Sequence, residues 1–198
     1  MKTIIKKSLE NTYSYLEYKN LIKNLLSKAQ STGLEQSDAL TEYSKLNDKR
    51  MKRLDKTIKL SETTIEKFKQ INQPQTWLIL TEGWCGDAAQ NLPVIYKLSE
   101  INENIELKIV LRDENTELMN SFLTNGGKAI PKLIGLDKNE NVLFTWGPRP
   151  TTATKMVADY KAKHGSLSPE FKQDLQVWYN KNKGESIQDD FVEIIKKL

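Results

Sequence analysis

One pentapeptide in this 198-residue chain gathers the residue types that do chemistry: Trp84-Cys85-Gly86-Asp87-Ala88. Cys85 is the only cysteine. A run of strand formers, Thr76-Trp77-Leu78-Ile79-Leu80-Thr81, ends just before it, and a helical pattern follows from about Asp87 to Glu100. The thiol therefore falls at a strand-to-helix junction. The first turn of a helix presents unpaired backbone N–H groups and the positive end of the macrodipole. Both favour a thiolate, so the pKa of Cys85 is expected to lie below the free value of about 8.5. The thiolate is the species that attacks disulfides. The competing reading is a buried, inert thiol, since free cysteine is often buried.

The neighbours divide in the same way. Asp87 is expected to favour the helix start electrostatically; its charge would also raise the thiol pKa. Glu82 is expected to be a solvated surface acid, the alternative being a proton relay to Cys85. Lys132, next to Pro131, would favour the thiolate if it points inward. Trp84 reads as a cap over the site or part of a recognition surface. Trp146 and Trp178 read as core aromatics.

The elements that must position these residues show in periodicity and punctuation. Ile5, Leu9, Tyr13 and Leu16 recur at helical spacing, followed by Ile22, Leu25 and Ala29, with Gly33 as a stop. Ser37-Asp38 and Ser61-Glu62 start two further helices. From residue 61 the order is α-β-α-β-α-β-β-α, with two extra helices. Strands are expected at 76–81, 105–111, 131–136 and 142–146. The β-α-β unit implies a parallel pair, and the turn at Asp137-Lys138-Asn139-Glu140-Asn141 makes the last two strands a hairpin. The expected class is α/β, a mixed sheet with helices on both faces. Residues 1–60 form an N-terminal helical extension, and 61–198 the main domain with extra C-terminal helices. The apolar stripes of the extension are expected to pack against that domain.

Composition excludes several classes. One cysteine makes no internal disulfide, and one histidine, His164, leaves no His/Cys zinc site within the chain. No stretch of about eighteen apolar residues exists, so no membrane span is expected, and a cytoplasmic protein is the default. Residues 1–76 hold fifteen Lys/Arg against nine Asp/Glu, a net +6, whereas the whole chain carries +4. That excess reads as solvated helix faces, and no nucleic-acid motif accompanies it.

Trp84-Cys85-Gly86 at the junction resembles the start of the thioredoxin family's W-C-G-P-C site. Pro93 stands where that family has a helix-kinking proline. Ile130-Pro131, 46 residues beyond Cys85 and opening a strand, resembles its cis-proline loop. Gly147 falls where the family has a glycine before its final helix. With Trp146-Gly147-Pro148-Arg149-Pro150, the pattern is similar to a bacterial thioredoxin-like subgroup with an N-terminal helical extension. Three positions depart from it. Ala88 replaces the resolving cysteine, Asp87 the proline, and Ile79 the buried aspartate that accepts a proton in thioredoxins.

The resemblance implies a thioredoxin-like fold and a monothiol thiol–disulfide oxidoreductase. Cys85 would attack a mixed disulfide between a protein and a low-molecular-weight thiol, and an external thiol would resolve it. Trp84, Gly86, Asp87, Ile130 and Pro131 would bind the substrate, an extended one adding along the Ile130 backbone. No metal and no tightly held cofactor are implied, and the C-G-F-S signature of cluster-holding monothiol glutaredoxins is absent. The alternative that the resemblance admits is a non-catalytic binding or scaffolding module. A one-cysteine peroxidase is the weakest reading, because no P-x-x-x-T-x-x-C pattern precedes Cys85. Oligomeric state is left open.

Overall fold

Strands form where β-branched and aromatic residues cluster, and helices where short oxygen side chains cap an apolar period. The computed structural model describes residues 1–198. In chain order the elements are α1 (Lys2–Leu9), α2 (Tyr15–Ser27), α3 (Asp38–Thr57), α4 (Glu62–Lys69), β1 (Gln75–Thr81), α5 (Gly86–Ser99) and β2 (Ile105–Leu111). There follow α6 (Thr116–Ser121), β3 (Lys132–Asp137), β4 (Val142–Trp146), α7 (Thr151–His164), α8 (Pro169–Asn182) and α9 (Glu185–Ile195).

The sheet order is β2-β1-β3-β4. β1 pairs parallel with β2 and antiparallel with β3, and β3 and β4 form the expected hairpin. The class is thus the expected α/β one, a mixed sheet with helices on both faces. β1 is paired on both edges, and with helices on both faces of the sheet Trp77 through Leu80 are all fully buried. The site lies just past the end of this most buried strand.

Two expectations for the N-terminal helices are corrected. The helical period through Leu9, Tyr13 and Leu16 does not make one helix. Ser14 and Glu17 form a capping box that starts α2 afresh. Tyr13 exchanges two backbone hydrogen bonds of 2.8 Å with Ile109 of β2 instead. α2 also ends at Ser27, ahead of Gly33. The starts at Ser37 and Ser61 are as expected, each hydroxyl accepting an N–H three residues on.

One core cluster runs through the molecule. Ile5, Tyr15, Tyr18, Ile22, Met51 and Leu54 belong to the same cluster as Trp77–Leu80 and Phe191. The N-terminal helices therefore pack on the sheet-bearing part, as their apolar stripes require. Trp77 sits among Phe68, Phe144 and Phe191, with ring centroids 5.9, 6.0 and 4.9 Å away. Trp146 is buried; Trp178 is half-buried against a smaller cluster between α7 and α8. No helix is long and apolar enough to cross a membrane.

Candidate functional site

Cys85 is the N-cap of α5. Its Sγ accepts the Ala88 N–H at 3.4 Å and lies 3.3 Å from the Ile130 carbonyl oxygen, to which the thiol donates. The Ile130-Pro131 and Gly147-Pro148 peptide bonds are both cis. The two proline loops meet at Gly147, which has φ +109°; a Cβ there would lie 2.2 Å from the Pro131 carbonyl oxygen. Only glycine allows that approach. Trp84 is half-buried, with the Arg112 guanidinium 4.8 Å from its ring centroid. Pro93 lies inside α5, and Ile79 is fully buried in the core.

The thiol is not the activated one that its position predicts. Cys85 is only 8% exposed, and burial pushes its pKa up to about 12, with the Asp87 charge adding to the rise. The N–H groups of Ala88 and Asp87 and the Arg149 guanidinium pull the other way. The helix terminus does act on the sulfur, as expected, but desolvation outweighs it. The resting sulfur is therefore a protonated thiol at neutral pH.

Of the two acids near Cys85, Glu82 corrects the sequence reading and Asp87 does not. Asp87 stands in the first turn of α5, as expected, and its charge reaches the sulfur. Its Oδ2 lies 2.7 Å from Arg149 Nη2, and its Oδ1 accepts the Tyr179 hydroxyl at 3.0 Å. Burial raises its carboxyl, and Arg149 opposes the rise. Glu82 is no surface acid but fully buried. Its Oε1 accepts the Asp113 N–H at 3.0 Å, while Oε2 has no partner in hydrogen-bond geometry. Burial raises the Glu82 carboxyl too, against the nearby Thr32 hydroxyl and the Asp113 N–H. Lys132 does not serve the thiol; it donates to Thr124 Oγ1 at 2.8 Å.

Residues outside the pentapeptide hold the loop. Gly83 N–H donates to Thr32 Oγ1 at 2.7 Å, and the Gly83 carbonyl accepts Asn47 Nδ2 at 3.0 Å. Arg50 of α3 then donates to Asn47 Oδ1 at 2.9 Å. From α8, Gln176 accepts the Gln90 amide at 3.0 Å. Thr32, Asn47, Arg50, Tyr179 and Gln176 were not singled out from sequence. Asn47 and Arg50 lie within a Lys/Arg-rich segment that reads as a solvated face, and α8 lies some ninety residues beyond the motif. Arg149 carried a signal, since it sits in the Gly147–Pro150 segment.

A family model described as Thioredoxin matches residues 33–161. The chain belongs to the thioredoxin family. The matched span holds Cys85, both proline loops and all four strands. Comparison with curated proteins finds no match. Two solved structures share this thioredoxin-family fold. One is PA1234, a protein of unknown function from Pseudomonas aeruginosa. At 19% identity it covers 93% of this chain and 98% of its own, with a TM-score of 0.59. The other is an HIV epitope-scaffold, also 19% identical, covering 94% and 99%, with a TM-score of 0.59. Both likenesses take in the N-terminal helices, so these belong to a shared architecture. No group of three His, Cys, Asp or Glu side chains is placed to hold a metal ion.

Proposed function

We propose that this thioredoxin-family chain is a monothiol exchange protein with Cys85 as its nucleophile. The observation that supports it is the placing of Sγ between the Ala88 N–H and the Ile130 carbonyl. A disulfide docked along the Ile130-Pro131 edge would meet the sulfur there. Cys85 loses its proton to solvent base, and Sγ attacks one sulfur of R–S–S–R′. The Sγ–S bond forms as the S–S bond breaks, and R′–S⁻ leaves and takes up a proton. An external low-molecular-weight thiol then attacks the R sulfur and releases Cys85. The two steps exchange thiols with no net oxidation.

The high thiol pKa shapes this reading. Near neutral pH burial holds the resting sulfur as the thiol, and the higher intrinsic nucleophilicity of its thiolate offsets this only in part. Exchange therefore depends on a docked substrate and not on random encounter. The site is protected at rest and needs no resolving cysteine of its own.

Intact mass after incubation with a panel of small and peptide disulfides tests the reading, with Cys85→Ser as control. A single adduct on native protein, removed by an added thiol and absent in Cys85→Ser, is expected. Labelling that appears only after unfolding would instead favour the binding-module reading, which the 8% exposure of Cys85 supports.

A further inference from the structure

Arg50 is the cation near Cys85 that the site leaves least occupied. It forms no ion pair, and its one hydrogen bond within the chain goes to Asn47 Oδ1. A guanidinium has five N–H donors in a planar fork matched to a carboxylate. Half-burying one without a counter-ion is costly, and burial accordingly lowers the Arg50 pKa, with Arg53 as the next cause. The Asp87 charge acts on Arg50 and opposes that lowering, but its two oxygens are engaged by Arg149 and Tyr179 and form no ion pair with Arg50.

Arg50 Nη1, which gives one of its two N–H groups to Asn47, and the Gln176 amide converge on one place. A Cβ on Gly86 would stand 3.5 Å from Arg50 Nη1 and 3.6 Å from Gln176 Nε2. Gln176 Oε1 is already used by Gln90, which leaves the Gln176 amide nitrogen to donate. With glycine at position 86, no side chain fills the gap between these donors and the α5 backbone. It lies one residue from the thiol. Nearby, Arg149 is paired with Asp87, and its Nε is buried without an acceptor.

We propose that Arg50 and Gln176, above the bare backbone of Gly86, form a carboxylate-binding subsite that selects small anionic thiols and their disulfides. The subsite names the substrate class of the exchange reaction, and so rests on that reading. A carboxylate between Arg50 and Gln176 gains charge-assisted hydrogen bonds and places the attached sulfur beside Cys85. A neutral disulfide gains none of this.

The test is equilibrium binding to the full-length Cys85→Ser chain, so that reactivity plays no part. The probe is S-methylglutathione, a thioether with two carboxylates; its dimethyl ester serves as the capped control. Calorimetry is expected to show the acid binding about tenfold more tightly than the ester. Adding Arg50→Gln abolishes that preference, and adding Gln176→Leu reduces it about threefold, with circular dichroism confirming folded protein. Equal affinity for acid and ester, no binding of either, or a preference untouched by both variants would overturn the subsite. Adduct formation at Cys85 without a carboxylate preference would sink this proposal alone. Carboxylate-dependent binding without any adduct would sink the exchange reading alone.

Discussion

Glu82 and Asp87 bracket Cys85, three residues before it and two after, and the fold satisfies them by different means. Asp87 gives one oxygen to the Arg149 guanidinium and the other to the Tyr179 hydroxyl. Glu82 has one backbone N–H on Oε1 and an unpartnered Oε2 in a fully buried place. Taking a carboxylate out of water costs several kcal/mol, roughly, and something must offset it. For Asp87 it is chiefly a cation, which opposes the rise that burial imposes on the carboxyl, and the field of the carboxylate falls on the sulfur. For Glu82 it is partly a proton, held to higher pH than in the unfolded chain. The same residue class within six positions is thus raised by burial on both sides, against an ion pair on one side and without one on the other. A sulfur between them is tuned mainly from the Asp87 side.

The largest expected effect comes from removing the cation. Arg149→Met leaves Asp87 with Tyr179 alone, and a largely buried carboxylate without its counter-charge is expensive. A cost of about 3 kcal/mol in urea unfolding is expected, below the upper range for fully buried pairs because Arg149 is 23% exposed. A cost under about 1 kcal/mol would break the comparison, since Asp87 would then need its cation no more than Glu82 does.

Glu82→Gln sharpens the other side and is smaller. The folded pKa of Glu82 lies above the unfolded one, so in the pH window between them the folded state binds more protons. The stability that Glu82 confers is fully present below the unfolded value and falls as pH rises through the folded value. The slope in that window approaches about 1.4 kcal/mol per pH unit for one proton. Gln carries no such proton. Subtracting variant from wild-type unfolding free energies between pH 4 and 8 is expected to leave a difference that declines as pH rises. A difference flat with pH would show that burial does not raise the Glu82 carboxyl.

How far these arrangements were legible in the sequence depends on the range of the contact. β2 and β4, the Ser37, Ser61 and Ser168 caps and the 137–141 turn are local features, and local punctuation predicts them. The approach of Ile130-Pro131 to Cys85 is not local, and only the family resemblance pointed to it. The thiol pKa was misread because a helix terminus is visible in sequence while burial is not. Glu82 was misread for the same reason: a charged residue after a strand normally faces water, but here the loop from Thr32 to Gly33 closes over it. Arg50 lay hidden in a run of lysines whose other members do face solvent.

The smallest effect expected is that of Tyr179→Phe, and it separates two accounts of Asp87. If Arg149 alone offsets the burial of Asp87, losing the Tyr179 hydroxyl costs little. If the two partners act together, the loss costs about 1 kcal/mol and shifts the Asp87 carboxyl further up. The second outcome is expected, because the hydroxyl donates to the oxygen that Arg149 does not pair with most closely. A double-mutant cycle with Asp87→Asn isolates the coupling, which for contacting groups is about 0.5 kcal/mol or more. The phenylalanine ring keeps the packing between α7 and α8, so any loss reports the hydrogen bond and not a cavity. A coupling of zero would make the ion pair self-sufficient and leave Tyr179 as a packing residue that merely touches the site.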